Sequence, residues 1–568
     1  MPAGSSLERR TCERDQRVLH VRWLGRVGYD EADVLQRAFH AAPTDDTLLL
    51  LEHPPVYTLG TQAKREHVLV EPHSVGAELV DADRGGDVTF HGPGQLVAYP
   101  IVTLPEWRNR LGDVVAYVRN LESVLVAVLA HFGIEATTEA GYTGVWVGEE
   151  KIAAIGVKVA RGRTRHGIAL NVDPDLTMFD HIVPCGITDR GVTSMARLLG
   201  APVDFRAVVD AFVEEFTTRF GYPDIVRQDV VWRHRTEDLS MFSRTGVADT
   251  ATPVRLLARR TEAGVGDTIE FGARRPVWMR VKANLGADYQ STRKVVGDLG
   301  LTTVCEEAGC PNRSECWADG TATFMINGER CTRACGFCLV DTRHPEGLDP
   351  DEPRRVAEAV ARLGLAHAVI TCVARDDLPD GGAAAFAATV DAIRTRTPGT
   401  RVEVLISDCE GRAASLTTIF AARPDVLNHN LETVARLQRV VRPSAGYARS
   451  LAVLARAKAA GLTTKSGLIV GMGETREEVH AALRDLRAVG VEIVTIGQYL
   501  RPTVSHLPVA RWWNPAEFDA LAQYGRDLGF DHVESGPLVR SSYHARQGAD
   551  AAGANGEAHP SAPKVGIA

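Results

Sequence analysis

From about residue 320 to residue 536 the chain alternates short strand-like runs with helical patterns, and this alternation limits the folds open to it. The strand-like runs are "TATFMI", "HAVITCV", "RVEVLIS", "VLNHN", "KSGLIV", "EIVTIGQYL" and "DHVESG". Between them lie helical patterns such as "RRVAEAVARLGL", "YARSLAVLARAKAAGL" and "TREEVHAALRDLRAVG". Strands separated by helices pair in parallel, and so many units predict a full or partial β/α barrel. Chemistry in such a barrel gathers in the loops that follow strands. "CTRACGFC" (331–338) comes directly after the first of them.

The first part of the chain follows a different pattern. Residues 18–235 read as mixed α/β, with "TLLLLEH" (47–53) as a short buried strand. "LGDVVAYVRNLESVLVAVLAHFG" has helical spacing and stops at Gly133, a residue suited to a helix C-terminus. "YTGVWVGEEKIAAIGVKVARGRTRHGIALNV" contains three strand-like runs, which predicts a meander. Residues 236–273 read as a linker, 274–546 as a second domain, and 547–568 as a disordered tail. A formal charge of −8 argues against a nucleic-acid partner. No run approaches ~18 uninterrupted apolar residues, and the N-terminal stretch has no apolar signal core. The expectation is a cytoplasmic protein with no membrane span.

Six of the ten cysteines crowd into 305–338, as Cys305, Cys310 and Cys316, then Cys331, Cys335 and Cys338. In a reducing compartment such crowding favours metal or cluster ligation over disulfides. A structural zinc site takes four ligands, usually from two short paired hooks, and two trios of unequal spacing fit that poorly. A multi-zinc cluster on all six stays open, as do plain structural thiols. Three thiolates on a four-iron cluster would leave one iron free for a substrate or cofactor.

The C-x3-C-x2-C spacing of Cys331, Cys335 and Cys338 resembles the cluster motif of the radical S-adenosylmethionine superfamily. Together with the upstream trio, "VARDDLPDGGA", "NHNLETV", "TKSGLIVGMGET", "TIGQYLRPTVSHLPV" and "GPLVRSSYHA" resemble lipoyl synthase over about 274–546. The resemblance implies two [4Fe-4S] clusters. One, on the second trio, binds S-adenosylmethionine; the other, on Cys305, Cys310, Cys316 and Ser542 of "RSSY", is an auxiliary sulfur donor. It implies sulfur insertion at carbons 6 and 8 of a protein-bound octanoyl chain, with a ferredoxin or flavodoxin type of reductant. Expected cofactor contacts are Gly381 and Gly382 of "DGG", Asn430 and Glu432, and Gly471 and Gly473 of "GMGET". Cys372 and Cys409 depart from the family's pattern and are expected to be buried thiols.

In the first half, "RGGDVTFHGPGQLVAYPI" (84–101) is dense in glycine beside a strand, which lets backbone approach a ligand closely. On their own, Lys151 at a strand start reads as solvated and Cys185 after a proline as inert. Together with "GVWVGEEKIAAIGV", "HGIALNV" and "PCGI", however, these segments resemble lipoyl(octanoyl) transferase over about 18–230, a relative of the biotin and lipoate protein ligases. The resemblance implies that Cys185 carries the acyl group as a thioester and that Lys151 lowers its pKa and acts as acid–base. The implied acyl pocket is Arg84, Gly85, Gly86, Asp87, Val88, Thr89, Phe90 and His91, with Ala154, Ile155, Gly156, Gly167, Ile168 and Ala169. The implied donor is octanoyl-acyl carrier protein. The implied acceptors are lipoyl domains of 2-oxoacid dehydrogenases and the glycine cleavage H protein.

Overall fold

The computed structural model describes residues 17–42, 45–107, 110–111, 113–184, 190–232, 259–266, 268–280, 286–307, 310–318 and 322–553. The chain divides into two compact units, Met1–His234 and Arg235–Ala568.

In the first unit the chain forms β1 (Val18–Arg26), α1 (Tyr29–Ala41), β2 (Asp46–Glu52), β3 (Val56–Leu59), β4 (Glu78–Asp81), β5 (Val88–His91) and β6 (Gln95–Ile101). It continues through α2 (Val114–His131), β7 (Thr137–Glu139), β8 (Tyr142–Val147), β9 (Glu150–Ala160), β10 (Arg163–Asn171), β11 (Gly191–Val192), α3 (Phe205–Phe220) and β12 (Asp224–Asp229). The main sheet runs β12-β1-β2-β6-β10-β9-β8-β7, with β11 on β9, and β4-β3-β5 make a smaller sheet. The antiparallel β8-β9-β10 run is a meander. Helix α2 is long and apolar enough to cross a membrane by length and composition. Here it lays Tyr117, Leu121, Leu125 and Val128 into the core that the sheet and α3 share.

Where β10 crosses β6, Gly167 is required. A Cβ there would lie 2.1 Å from the Ala98 carbonyl oxygen, which is backbone and cannot swing away. Gly167→Ala should therefore cost the first unit roughly 1–3 kcal/mol. A calorimetric scan that leaves its melting unchanged would contradict this.

In the second unit the elements are α4 (Ala287–Asp298), β13 (Thr302–Thr303), α5 (Val304–Glu307), α6 (Arg313–Ala318), β14 (Thr323–Ile326), α7 (Glu352–Leu363), β15 (His367–Cys372), α8 (Ala383–Arg396) and β16 (Arg401–Leu405). There follow α9 (Ala413–Ala421), β17 (Val426–Asn428), α10 (Tyr447–Ala459), β18 (Thr463–Val470), α11 (Arg476–Ala488), β19 (Ile493–Gln498), α12 (Pro515–Asp527), β20 (His532–Gly536) and α13 (Ala545–Ala551). The eight strands pair in chain order, β13 antiparallel to β14 and the rest parallel, as an open, partial β/α barrel. Each strand that alternation predicts is present. The inner helix faces are apolar, as on α7, where Val356, Ala357, Ala359 and Val360 are buried.

Two boundaries differ from the sequence reading. Part of the 236–273 segment is fastened to the barrel: the Ile269 N–H donates to the Val509 carbonyl at 2.8 Å, and Arg436 donates to the Ala263 carbonyl. At the other end α13 runs past residue 547, and its Ala549 is buried beside Val426 and Ile493. Weak periodicity and alanine-rich composition concealed both, because the partner surfaces are remote in sequence. Residues 554–568 lie outside the described residues.

Candidate functional site

A cavity of about 1020 Å³ opens at the carboxyl ends of the barrel strands. Cys305, Cys310, Cys331, Cys335, Cys338, Asn430, Glu432 and Ser542 all line it. These residues span more than two hundred positions, and the strand order brings them together.

Two aspartates hold the second trio's loop. Arg333 donates to both oxygens of Asp376 at 2.7 Å and reaches Asp408 at 2.6 Å. Burial alone would raise the Asp408 carboxyl, but Arg333 outweighs it and holds the group well below the usual carboxylate range. Gly336 passes under Leu507, where a Cβ would meet side-chain carbons at 2.7 and 2.9 Å, so a small residue suits the position after Cys335. The Cys331 sulfur accepts from the backbone N–H groups of Arg333 (3.4 Å) and Ala374 (3.3 Å). Met325, Val340 and Val373 pack against Cys331 and Cys338. Burial raises the Cys331 thiol and pushes Cys335 up to about 11.

Trp317 and Tyr289 back the first trio, their rings stacked 5.1 Å apart. Burial pushes Cys305 up to about 11. The turn bearing Ser542 is tied to this trio at two points: Asn312 donates to the Leu538 carbonyl at 2.7 Å, and the Tyr543 hydroxyl donates to Glu315 at 3.1 Å.

The donor sets suit iron–sulfur clusters. Thiols in apolar walls, with N–H groups aimed at sulfur, are the surroundings that hold and tune such clusters. A single tetrahedral zinc would pull its sulfurs to about 3.8 Å of one another. Among the described residues, the one group of three His, Cys, Asp or Glu ligand atoms mutually within 4.8 Å is Asp33, Asp83 and His166, so neither cysteine trio is that tight. That exception is no metal site, since Asp83 is already held by Lys158 (2.7 Å), Arg165 (2.6 Å) and His166 (2.7 Å).

Gly381, Gly382, Gly471 and Gly473 do not line the cavity; each sits at positive φ against packed protein. A Cβ on Gly382 would meet Asn327 at 2.3 Å, on Gly471 would meet Gln498 at 2.0 Å, and on Gly473 would meet Val265 at 2.6 Å. Gly381 turns beside Cys409. Their conformations meet the demands of turns. Cys372 lines the cavity, while Cys409 is buried behind it with its thiol pushed up to about 11 by burial. Sequence reasoning missed Arg333 and Asp408, because they meet only where loops that follow different strands converge.

In the first unit, β9 and β10 place Ala154 opposite Ala169, Ile155 opposite Ile168 and Gly156 opposite Gly167. The glycine-rich loop lies across them, with the Gly85 N–H donating to the Val157 carbonyl at 3.1 Å. Together they enclose a cavity of about 50 Å³ that Tyr29, Tyr99 and His166 also line. Every expected acyl-pocket residue lines it except Val88 and Phe90. Side chains alternate along β5, so Thr89 and His91 face the cavity while Val88 and Phe90 turn into a small core with Tyr57 and Phe179. Arg84 is buried, donating to Thr58 Oγ1 at 2.8 Å and to the Thr58 carbonyl at 2.6 Å. Burial and neighbouring cations hold His91 neutral.

Lys151 is buried on β9, its ammonium 4.7 Å from the centre of the Trp146 ring. Cys185 lies outside the described residues, but the chain on both sides of it is placed. Val183 donates to the His67 carbonyl at 2.8 Å, and after the break β11 pairs Val192 with Lys151 itself.

Comparison with known proteins matches each half of the chain to a family. Residues 30–217 match the lipoyl protein ligase A/B catalytic domain, and residues 325–486 match the radical SAM superfamily. Lipoyl synthase of Rubrobacter xylanophilus is 56% identical over 275 residues, which cover 48% of this chain and 86% of that protein. The Mycobacterium avium lipoyl synthase is 55% identical over 272 residues, covering 48% and 89%. A bi-partite lipoate protein ligase structure from Thermoplasma acidophilum aligns with 38% of this chain and 88% of its own, at 18% identity and a TM-score of 0.33. The chain belongs, through its C-terminal half, to the lipoyl synthase family of the radical SAM superfamily, and its N-terminal half carries a lipoyl protein ligase A/B catalytic domain.

Proposed function

We propose that this bifunctional enzyme of lipoate biosynthesis transfers an octanoyl group from acyl carrier protein to a lysine of a lipoyl carrier domain and then inserts two sulfurs into that chain. One observation carries the reading: a single cavity joins Cys305 and Cys310 of the first trio, all three cysteines of the second, and Ser542. Cys331, Cys335 and Cys338 would hold the cluster that binds S-adenosylmethionine, and Cys305, Cys310, Cys316 and Ser542 would hold the auxiliary one. When bound, these cofactors supply the radical abstraction of hydrogen from unactivated carbons and the sulfur that replaces it. The chain's own part is placement. Asn430 and Glu432 offer polar contacts to S-adenosylmethionine, and Met325, Val340 and Val373 keep water from the second trio. A low-potential reductant of ferredoxin or flavodoxin type fits the electron requirement.

In the first unit, Cys185 takes the acyl group as a thioester. The attack breaks the donor's thioester and forms Cys185's, which the carrier lysine's amine then cleaves. Lys151 favours the thiolate and shuttles the proton. The pocket between the glycine-rich loop and the β9–β10 pair receives the acyl chain.

The test is a one-pot assay with octanoyl-acyl carrier protein, apo carrier domain, S-adenosylmethionine and reductant, scored for lipoylated carrier. Cys185→Ser should lose the octanoyl adduct that intact-mass spectrometry detects on the parent, and at least about a thousandfold in transfer rate. A Cys185→Ser chain that transfers at the parent rate rules out the thioester. Failure of the parent to modify any carrier rules out the whole reading.

A further inference from the structure

Near the start of the second unit's described residues, residues 271–280 form an exposed surface at the edge of the large cavity. Val277–Met279 form one 3-10 turn whose Met279 is buried and lines the large cavity, which throws its neighbours outward. Val277 is 72% exposed and Trp278 41% exposed, and Phe271, beside them in sequence, is 48% exposed. Arg274, Arg275 and Arg280 are exposed as well, and the last two line the cavity mouth. Among the described residues, none of these three arginines makes an ion pair. Residues 259–280 contain five arginines against three acidic residues, in a chain whose formal charge is −8. Acidic groups gather in a separate surface pocket, around Glu306, Glu307, Glu329 and Asp341, where Arg330 and Arg343 meet Asp341 at 3.4 and 2.6 Å.

Exposed tryptophan among unpaired arginines is the composition of a protein-binding surface, with an apolar anchor inside a charged collar. A substrate whose reacting chain enters the cavity while its carrier stays outside must touch this rim.

We propose that Phe271–Arg280 is the docking surface for an acidic carrier domain. Val277 and Trp278 anchor it and Arg274, Arg275 and Arg280 pair with its carboxylates, while its acyl-lysine enters the cavity. This rests on the protein-borne acyl substrate of the reading above. Arg274, Val277 and Trp278 do not line the cavity, so docking through them sets where the acyl chain enters without touching the reacting atoms.

The test uses the full chain reconstituted with iron and sulfide. Its variant carries Arg274→Glu, Val277→Ser and Trp278→Ser, none of which lines the cavity. Two substrates are compared, an octanoylated lipoyl domain and a short octanoyl-lysine peptide. The expected result is a KM for the domain raised about tenfold or more, kcat within about twofold, and unchanged kinetics for the peptide. For the parent, added salt should raise the domain's KM and not the peptide's. An unchanged domain KM overturns the proposal, and so does an equal loss with the peptide, which would put these residues to work inside the cavity. Displacement of the domain by phosphatidylglycerol vesicles, with vesicle binding lost in the variant, would assign the surface to a membrane instead. Titration calorimetry with the octanoylated domain needs no turnover. If the parent is inactive yet binds the domain and the variant does not, docking stands and the catalytic reading falls.

Discussion

Cys331→Ser should cut the iron content from about eight to about four per chain and abolish 5′-deoxyadenosine formation, by at least about a thousandfold. The sulfur of Cys331 accepts two backbone N–H groups, and the side chain packs against Met325, Val340 and Val373. A serine hydroxyl there is a harder, poorer ligand for iron and would leave those two N–H groups facing a shorter side chain. Cys316→Ser should behave differently. It acts on the trio behind Trp317, so 5′-deoxyadenosine should still form while sulfur insertion fails. Octanoyl transfer should survive both changes, because Lys151 and Cys185 belong to the other unit. Iron analysis, chromatography of 5′-deoxyadenosine and an octanoylation assay on one preparation separate these effects. Two zincs per chain and no iron, or full turnover by Cys331→Ser, would defeat the cluster assignment.

Glu403→Gln should destabilise the second unit by about 3–5 kcal/mol, the usual consequence of leaving a buried charge without its partner. Glu403 is fully buried on β16 and accepts from Lys465 at 2.9 and 3.2 Å and from Asn428 at 3.1 Å, with His367 at 3.4 Å. Burial alone would raise its carboxyl, but Lys465 and His367 outweigh that and bring it down to about 2. A carboxyl whose folded value lies below its unfolded value binds its proton more tightly when unfolded. Its stabilisation is therefore complete above about pH 5 and disappears as the pH falls from about 4.5 through about 2. The double variant Glu403→Leu with Lys465→Met removes both charges and should cost less than either single change. Thermal melts at pH 7 and pH 3 provide the check. The gap between the parent and the double variant should narrow or reverse at pH 3, and a gap that widens there would refute the linkage.

The two sites were legible to different depths. Strand–helix alternation placed the barrel, and cysteine spacing marked both trios, because each depends on residues close together in sequence. The glycine-rich loop at 84–87 and the β9 and β10 segments were equally visible and share one pocket. Gly381, Gly382, Gly471 and Gly473 look like ligand-approach glycines in sequence, yet a turn and a ligand cradle call for the same residue type. The contacts with Asn327, Gln498 and Val265 give Gly382, Gly471 and Gly473 a packing role that the sequence does not reveal. Val88 and Phe90 belong to the right segment and face the other way, since alternation along a strand assigns faces that a motif does not reveal.

By itself, the sequence of this protein determined its local grammar: which runs become strands, where cysteines cluster, and where glycine permits a bend. Tertiary structure alone decided which distant groups meet. Arg333 reaches Asp376 and Asp408, Asn312 reaches the Leu538 carbonyl, and Glu403 finds Lys465, each across 43 to 226 positions only because parallel strands stand side by side. Hydrophobic periodicity is set by near neighbours, whereas the partner of a buried charge is set by strand order.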